Sequence, residues 1–121
     1  MVYDQFILLY LVMIFLQTIH IFEEIAFKAY KVVGSLNKYL VVASLLVFLS
    51  YLPLFLITQG IQVGYYLGFI SSVLAFGNGI IHIVGYIKTK SFRGTIGAGV
   101  FSGIPLGITG LLVFLQLFSY K

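Results

Sequence analysis

Two histidines, two glutamates and an asparagine interrupt otherwise apolar runs in this chain. His20 is followed one helical turn later by Glu23 and Glu24 in Ile19-His20-Ile21-Phe22-Glu23-Glu24-Ile25. His82 follows Asn78 by four residues in Asn78-Gly79-Ile80-Ile81-His82. Neutral imidazole and carboxylate are ligands for zinc, iron or manganese, and two histidines with one carboxylate leave positions open for water or substrate. His20, Glu24 and His82 are therefore the expected metal ligands, with Asn78 as a further ligand or as a group bonded to one of them. Glu23 is then the expected general base on a metal-held water. The same residues suit metal-free acid–base chemistry, one glutamate holding a proton while the other activates water. They also suit an ion or proton relay and, with two carboxylates crowding the pocket, less readily a pair of axial haem ligands. The structural alternative pairs Glu24 with Lys28 at i,i+4, lets Glu23 reach the interface, and has His20 bond Asn78 to lock two helices.

Which elements hold these residues follows from composition. Of 121 residues, 61% are hydrophobic and 8% charged, too apolar for a soluble domain of this length. Four runs, 5–27, 39–59, 61–87 and 95–118, reach or exceed the roughly 20 helical residues needed to cross a bilayer core. They occupy nearly the whole chain, which predicts an all-α, single-domain, four-transmembrane-helix bundle with every backbone amide bonded internally. The runs are apolar all round, whereas a transmembrane barrel needs alternating segments of about ten residues. The first run lacks a basic leader and a small-residue cleavage site, so it is expected to stay as a permanent helix. With no cysteine in the chain, thiolate ligands are excluded. Tyr3, Tyr30, Tyr39, Tyr65, Tyr66, Tyr86 and Tyr120 fall near span ends, where amphipathic rings settle.

The formal charge of +4 is concentrated in two places. Lys28, Lys31 and Lys38 follow the first span and Lys88, Lys90 and Arg93 follow the third, leaving only Lys121 elsewhere. That pattern reads as orientation in the cytoplasmic membrane, with the basic loops inside, touching anionic lipid, and both termini outside. It does not read as nucleic-acid binding. The first and third spans then run parallel. His20 precedes Lys28 by eight residues, about 12 Å of helix, and His82 precedes Lys88 by six, about 9 Å. The two histidines are expected at similar depth in the cytoplasmic half of the bilayer.

Helical phase supports a shared site. At about 100° per residue, Gln17, His20, Glu23 and Glu24 fall within about 120°. Ser71, Ala75, Asn78, His82 and Gly85 form one small and polar stripe on the third span. Gly60, Gly64 and Gly68, and Gly99, Gly103 and Gly107, repeat every fourth residue and favour close helix crossing, within one chain or across a homodimer. Pro53 and Pro105 lie inside spans and are expected to bend them or free a carbonyl. An ionisable residue within a span costs roughly 2.5–3.5 kcal/mol on insertion scales. Intramembrane hydrogen bonds average only about 0.6 kcal/mol. Five such polar groups cost more than a lock between helices returns, which favours a functional site.

The chain resembles the small family of bacterial and archaeal membrane proteins named for an HXXEE motif, which stands here as His20-Ile21-Phe22-Glu23-Glu24. That family also carries Asn-x-x-x-His, here Asn78 to His82. Its Tyr-x-Pro-Gly element is not present as such; the region reads Lys90-Ser91-Phe92-Arg93-Gly94-Thr95-Ile96-Gly97. The resemblance implies a shared site and supplies no reaction. The ingredients are also loosely similar to those of intramembrane CAAX-processing proteases, which combine a Glu-Glu pair with histidines and an asparagine. The expectation drawn from the residues is a small metal-dependent membrane enzyme, hydrolytic, acting on a lipidic or membrane-embedded substrate. The competing expectation is a non-enzymatic binding or ion-relay protein.

Overall fold

A computed structural model describes residues 3–119; Tyr120 and Lys121 lie outside the described residues. The described chain contains α1 (Tyr3–Ala26), the short α2 (Tyr30–Val33), α3 (Leu36–Thr58), α4 (Val63–Thr89) and α5 (Val100–Ser119). All but α2 are long and apolar enough to cross a membrane, which makes this a multi-pass helical bundle. The second span starts three residues earlier than expected, because Ser35 caps α3 by accepting from the Lys38 amide at 3.2 Å. The fourth starts five residues later. Residues 95–99 are glycine-rich and fold as turns instead of helix.

That non-helical stretch is buried against the bundle. Ala98 is fully buried, and Gly97 and Gly99 are buried with it. Two of its amides, and that of Gly94 just before it, bond to other groups of the protein. Gly94 N donates to Phe27 O at 2.7 Å, Ala98 N to Thr95 O at 3.0 Å, and Gly97 N to Thr95 Oγ1 at 3.1 Å. A ring stack of Tyr86, Phe92 and Phe101, with centroids 4.3 and 4.6 Å apart, holds the segment down. The Gly94–Phe27 bond also brings the two basic loops to the same end of the bundle.

α5 packs most extensively on α4, then on α1, while α3 leans on α4. The glycines make these crossings close, and they do so within one chain. A Cβ at Gly79 would stand 2.6 Å from Gly103 O and 3.0 Å from Gly107 Cα. One at Gly110 would stand 2.8 Å from the Phe76 amide, and one at Gly64 would meet Leu56 and Ile57. Pro53 has no N–H to offer Leu49 O, and the Ser71 hydroxyl of α4 donates to that carbonyl instead, at 2.8 Å. The apolar core gathers Phe6, Tyr10, Met13 and Ile14 of α1 with Leu106, Val113 and Leu117 of α5. It fills the end of the bundle away from the basic loops.

Gly79→Val forces α4 and α5 apart and should destabilise by about 1–3 kcal/mol, as overpacking does. Gly77, where an added Cβ meets nothing within 4 Å, provides the control. Thermal unfolding in detergent should show a lower midpoint for Gly79→Val and an unchanged or higher one for Gly77→Ala.

Candidate metal centre

His20 and Glu24 come from the last two turns of α1, and His82 from two turns before the end of α4. One ligand atom from each converges, all within 4.8 Å of one another. His20 Nε2 lies 2.5 Å from Glu24 Oε1 and 3.1 Å from His82 Nε2, and His82 Nε2 lies 3.5 Å from the same Glu24 oxygen. His20 is 0% exposed and His82 6%. Among the described residues this is the group whose geometry could hold a metal ion.

The far side of each imidazole fixes what the near side presents. His82 Nδ1 lies 2.6 Å from the carbonyl oxygen of Ile96, which can only accept, so Nδ1 carries the proton. His20 Nδ1 lies 2.9 Å from Ser102 Oγ. The single Ser102 hydroxyl hydrogen goes to Glu23 Oε1 in a short contact, so His20 Nδ1 also donates. These tautomers are assigned from the partners. When both rings are neutral, each therefore turns an Nε2 lone pair inward, toward the other and toward a carboxylate oxygen. Three acceptors face each other with no donor among them. A buried polar group left without a partner costs roughly 1–3 kcal/mol, so the arrangement calls for one cation at its centre, a metal ion or a shared proton. Tetrahedral ligands about 2.0–2.1 Å from zinc stand about 3.3 Å apart. Two of the three separations are close to that, and a small rotation of the Glu24 side chain widens the third. A haem would need its flat ring between two imidazoles whose centroids are 4.7 Å apart, and the packing leaves no slot for it.

Glu23 is placed differently from its neighbour. Its carboxylate accepts from Ser102 N at 2.7 Å and Phe101 N at 3.1 Å, besides the Ser102 hydroxyl. It thereby caps the buried start of α5, where first-turn amides have no intrahelical partner and negative charge is favoured. The bonds to Glu23 are absent from the expectation that it acts as a base, because that reading considered only its own helix. Asn78 lines a cavity with Gln17, and the hydrogen bonds to His20 and His82 come from other residues. On α4 it is Gly79, one residue on, that faces α5.

Sequence reasoning missed four contributors. Ser102 looked like one more small residue in a glycine-rich helix, and nothing local marks it. Ile96 contributes a backbone carbonyl, which carries no side-chain signature; its segment is the one where the Tyr-x-Pro-Gly element was lacking. Gly99, named only as part of a packing register, lies directly over the group. Its φ is +99°, and a Cβ there would stand 2.8 Å from His20 Cε1, 3.0 Å from Glu24 Cγ and 3.2 Å from His82 Cε1. Tyr39, expected only as an interfacial ring, reaches in from α3 beside Glu24.

Comparison with protein-family models, curated proteins and solved structures finds no match to this chain.

Gly99→Ala introduces both the left-handed strain, about 1–2 kcal/mol, and the contact with all three residues. Histidine ring NMR signals should shift for both His20 and His82, and the unfolding midpoint should drop. Unchanged ring signals would show that the Gly99 backbone does not lie over the group.

Proposed function

We propose that this chain is a small metal-dependent membrane hydrolase acting on a lipidic or membrane-embedded substrate, with His20, Glu24 and His82 as the metal ligands. One observation carries the reading: two Nε2 lone pairs and a carboxylate oxygen converge in a buried site while each Nδ1 is held by a separate partner. Histidines that bind metal characteristically donate their other N–H to a carbonyl, carboxylate or similar acceptor, which fixes ring and tautomer. A divalent ion of the zinc, iron or manganese kind with three protein ligands keeps a position for water or a substrate carbonyl, and polarises either. Hydrolysis then adds water across an acyl bond, giving a carboxylic acid and the protonated leaving group. The substrate class follows from depth: the ligands lie within spans, on helices whose outer faces are apolar and exposed.

In this reading Glu23 and Ser102 are positioning residues. Glu23 takes the serine hydrogen, and the serine in turn takes the His20 Nδ1 proton, so that His20 Nε2 is free to ligate. Coordination and proton transfer both fall to Glu24, the carboxylate at the group. Asn78 belongs to the approach to the site. The basic loops orient it toward the cytoplasm by the positive-inside rule, and the family resemblance rests on the two motifs alone.

A proton relay is the second reading, favoured by the continuous chain from Glu23 through Ser102 and His20 to Glu24 and His82. It ranks below the first because the chain stops at the Ile96 carbonyl and stays at one end of the bundle.

Purified protein should carry one divalent ion per chain by elemental analysis, and His20→Ala and His82→Ala should lose it. Ser102→Ala should weaken metal affinity by about 10–100-fold, the usual effect of removing a group that orients a ligand, with Ser102→Thr restoring it. Asn78→Leu should keep the ion. Protein without stoichiometric metal, and titrating none under any divalent ion, overturns the reading and leaves the relay.

A further inference from the structure

Between α1, α3 and α4 lies a cavity of about 380 Å³, on the side of the metal centre away from the basic loops. Gln17 and Asn78 line it, three residues before His20 and four before His82. Along the helices that is about 4.5 and 6 Å from the ligands. Both side-chain amides are half-buried, and neither makes a hydrogen bond to another described residue. Ser50 and Ser71 line the same cavity with their hydrogens already given to Leu46 O and Leu49 O, so only their lone pairs remain. Beside Ser71 lies the fully buried Tyr10. The rest of the wall is aliphatic.

Lipid tails offer no hydrogen bonds at this depth, so an ordinary acyl chain in the cavity would leave both amides unsatisfied. Gln17 and Asn78 each present N–H donors and a carbonyl acceptor, and the serines add acceptors. The complementary ligand carries a carbonyl and an N–H side by side on an apolar chain. Size narrows it further. The volume is at the low end of the roughly 300–1,000 Å³ of small-molecule sites, enough for one chain and too little for a two-chain lipid.

We infer that this cavity binds a single-chain acyl amide, its carbonyl accepting from the Gln17 and Asn78 amide groups and its N–H donating to their carbonyls or to a serine oxygen. As a binding site the cavity stands on its own lining. As the substrate chamber of the metal centre it rests on the hydrolase reading, and it names the bond to be cleaved as an amide.

The test uses the full chain in lipid nanodiscs, with dodecanamide, methyl dodecanoate and dodecane as probes of equal chain length. Dodecanamide should bind at least tenfold tighter than the ester, and dodecane weakest. Gln17→Leu and Asn78→Leu should each reduce amide affinity about tenfold and leave dodecane unaffected. Gly77→Leu, which fills the cavity from a position with open space around it, should exclude all three. Metal content and unfolding midpoint monitor folding in each variant. Equal binding of the amide and the ester, or amide binding unmoved by both Leu substitutions, overturns the inference. His20→Ala separates it from the hydrolase reading, since it should abolish metal and keep the amide. Protein that binds dodecanamide but no metal sinks the hydrolase and leaves this site standing; protein with metal and no amide preference does the reverse.

Discussion

A helix that begins inside a membrane protein must find partners for its first amides without water. In α5 that requirement is met in full. Val100 N donates to Gly97 O and Gly103 N to Gly99 O, while Phe101 N and Ser102 N both donate to the Glu23 carboxylate. The carboxylate comes from α1, so the cap of one helix is also the clamp between two. Once Glu23 is fixed there, Ser102 sits on His20, the Gly99 backbone passes over the imidazoles, and Ile96 is aimed at His82. The geometry of the His20, Glu24 and His82 group is a consequence of how α5 starts.

Polar contacts of this kind do little for bundle stability by themselves. Bilayer tails are as apolar as the side chains they replace, so helices associate through close packing and a few hydrogen bonds. Here the packing is carried by α4 and α5, which approach until a Cβ added to Gly79 would stand 3.0 Å from Gly107 Cα. The α3 contact uses the carbonyl that Pro53 leaves unbonded, taken by Ser71. The apolar core and the polar centre occupy opposite ends of the bundle. An apolar, buried end and a polar end are thus separated along the same four spans, with the cavity between them.

Much of this was legible in the residues. Apolar length gave the four spans, and the clustering of lysines and Arg93 gave a common end for His20 and His82. Helical phase brought Glu24 to the histidine. What escaped was whatever depended on backbone placement by another element. Counting hydrophobicity carried the fourth span back to Thr95, because alanine, isoleucine and glycine look the same in a helix as in a buried turn. A one-residue rotation of α4 puts Gly79, and not Asn78, toward α5; periodicity of three or four residues is too coarse to separate neighbours. Glu23 and Glu24 are adjacent in the chain and about 100° apart around the helix, enough for one to meet a helix terminus and the other a pair of imidazoles.

The contact between His20 and Ser102 spans 82 positions of chain. Of the bonds described above, those of His20 to Glu24 and His82 come from α1 itself and from α4, whereas the Ser102 contact to His20 and both amides bonded by Glu23 come from α5. The buried histidine and the acidic pair therefore have their full set of partners only when residues far apart in the chain have packed together.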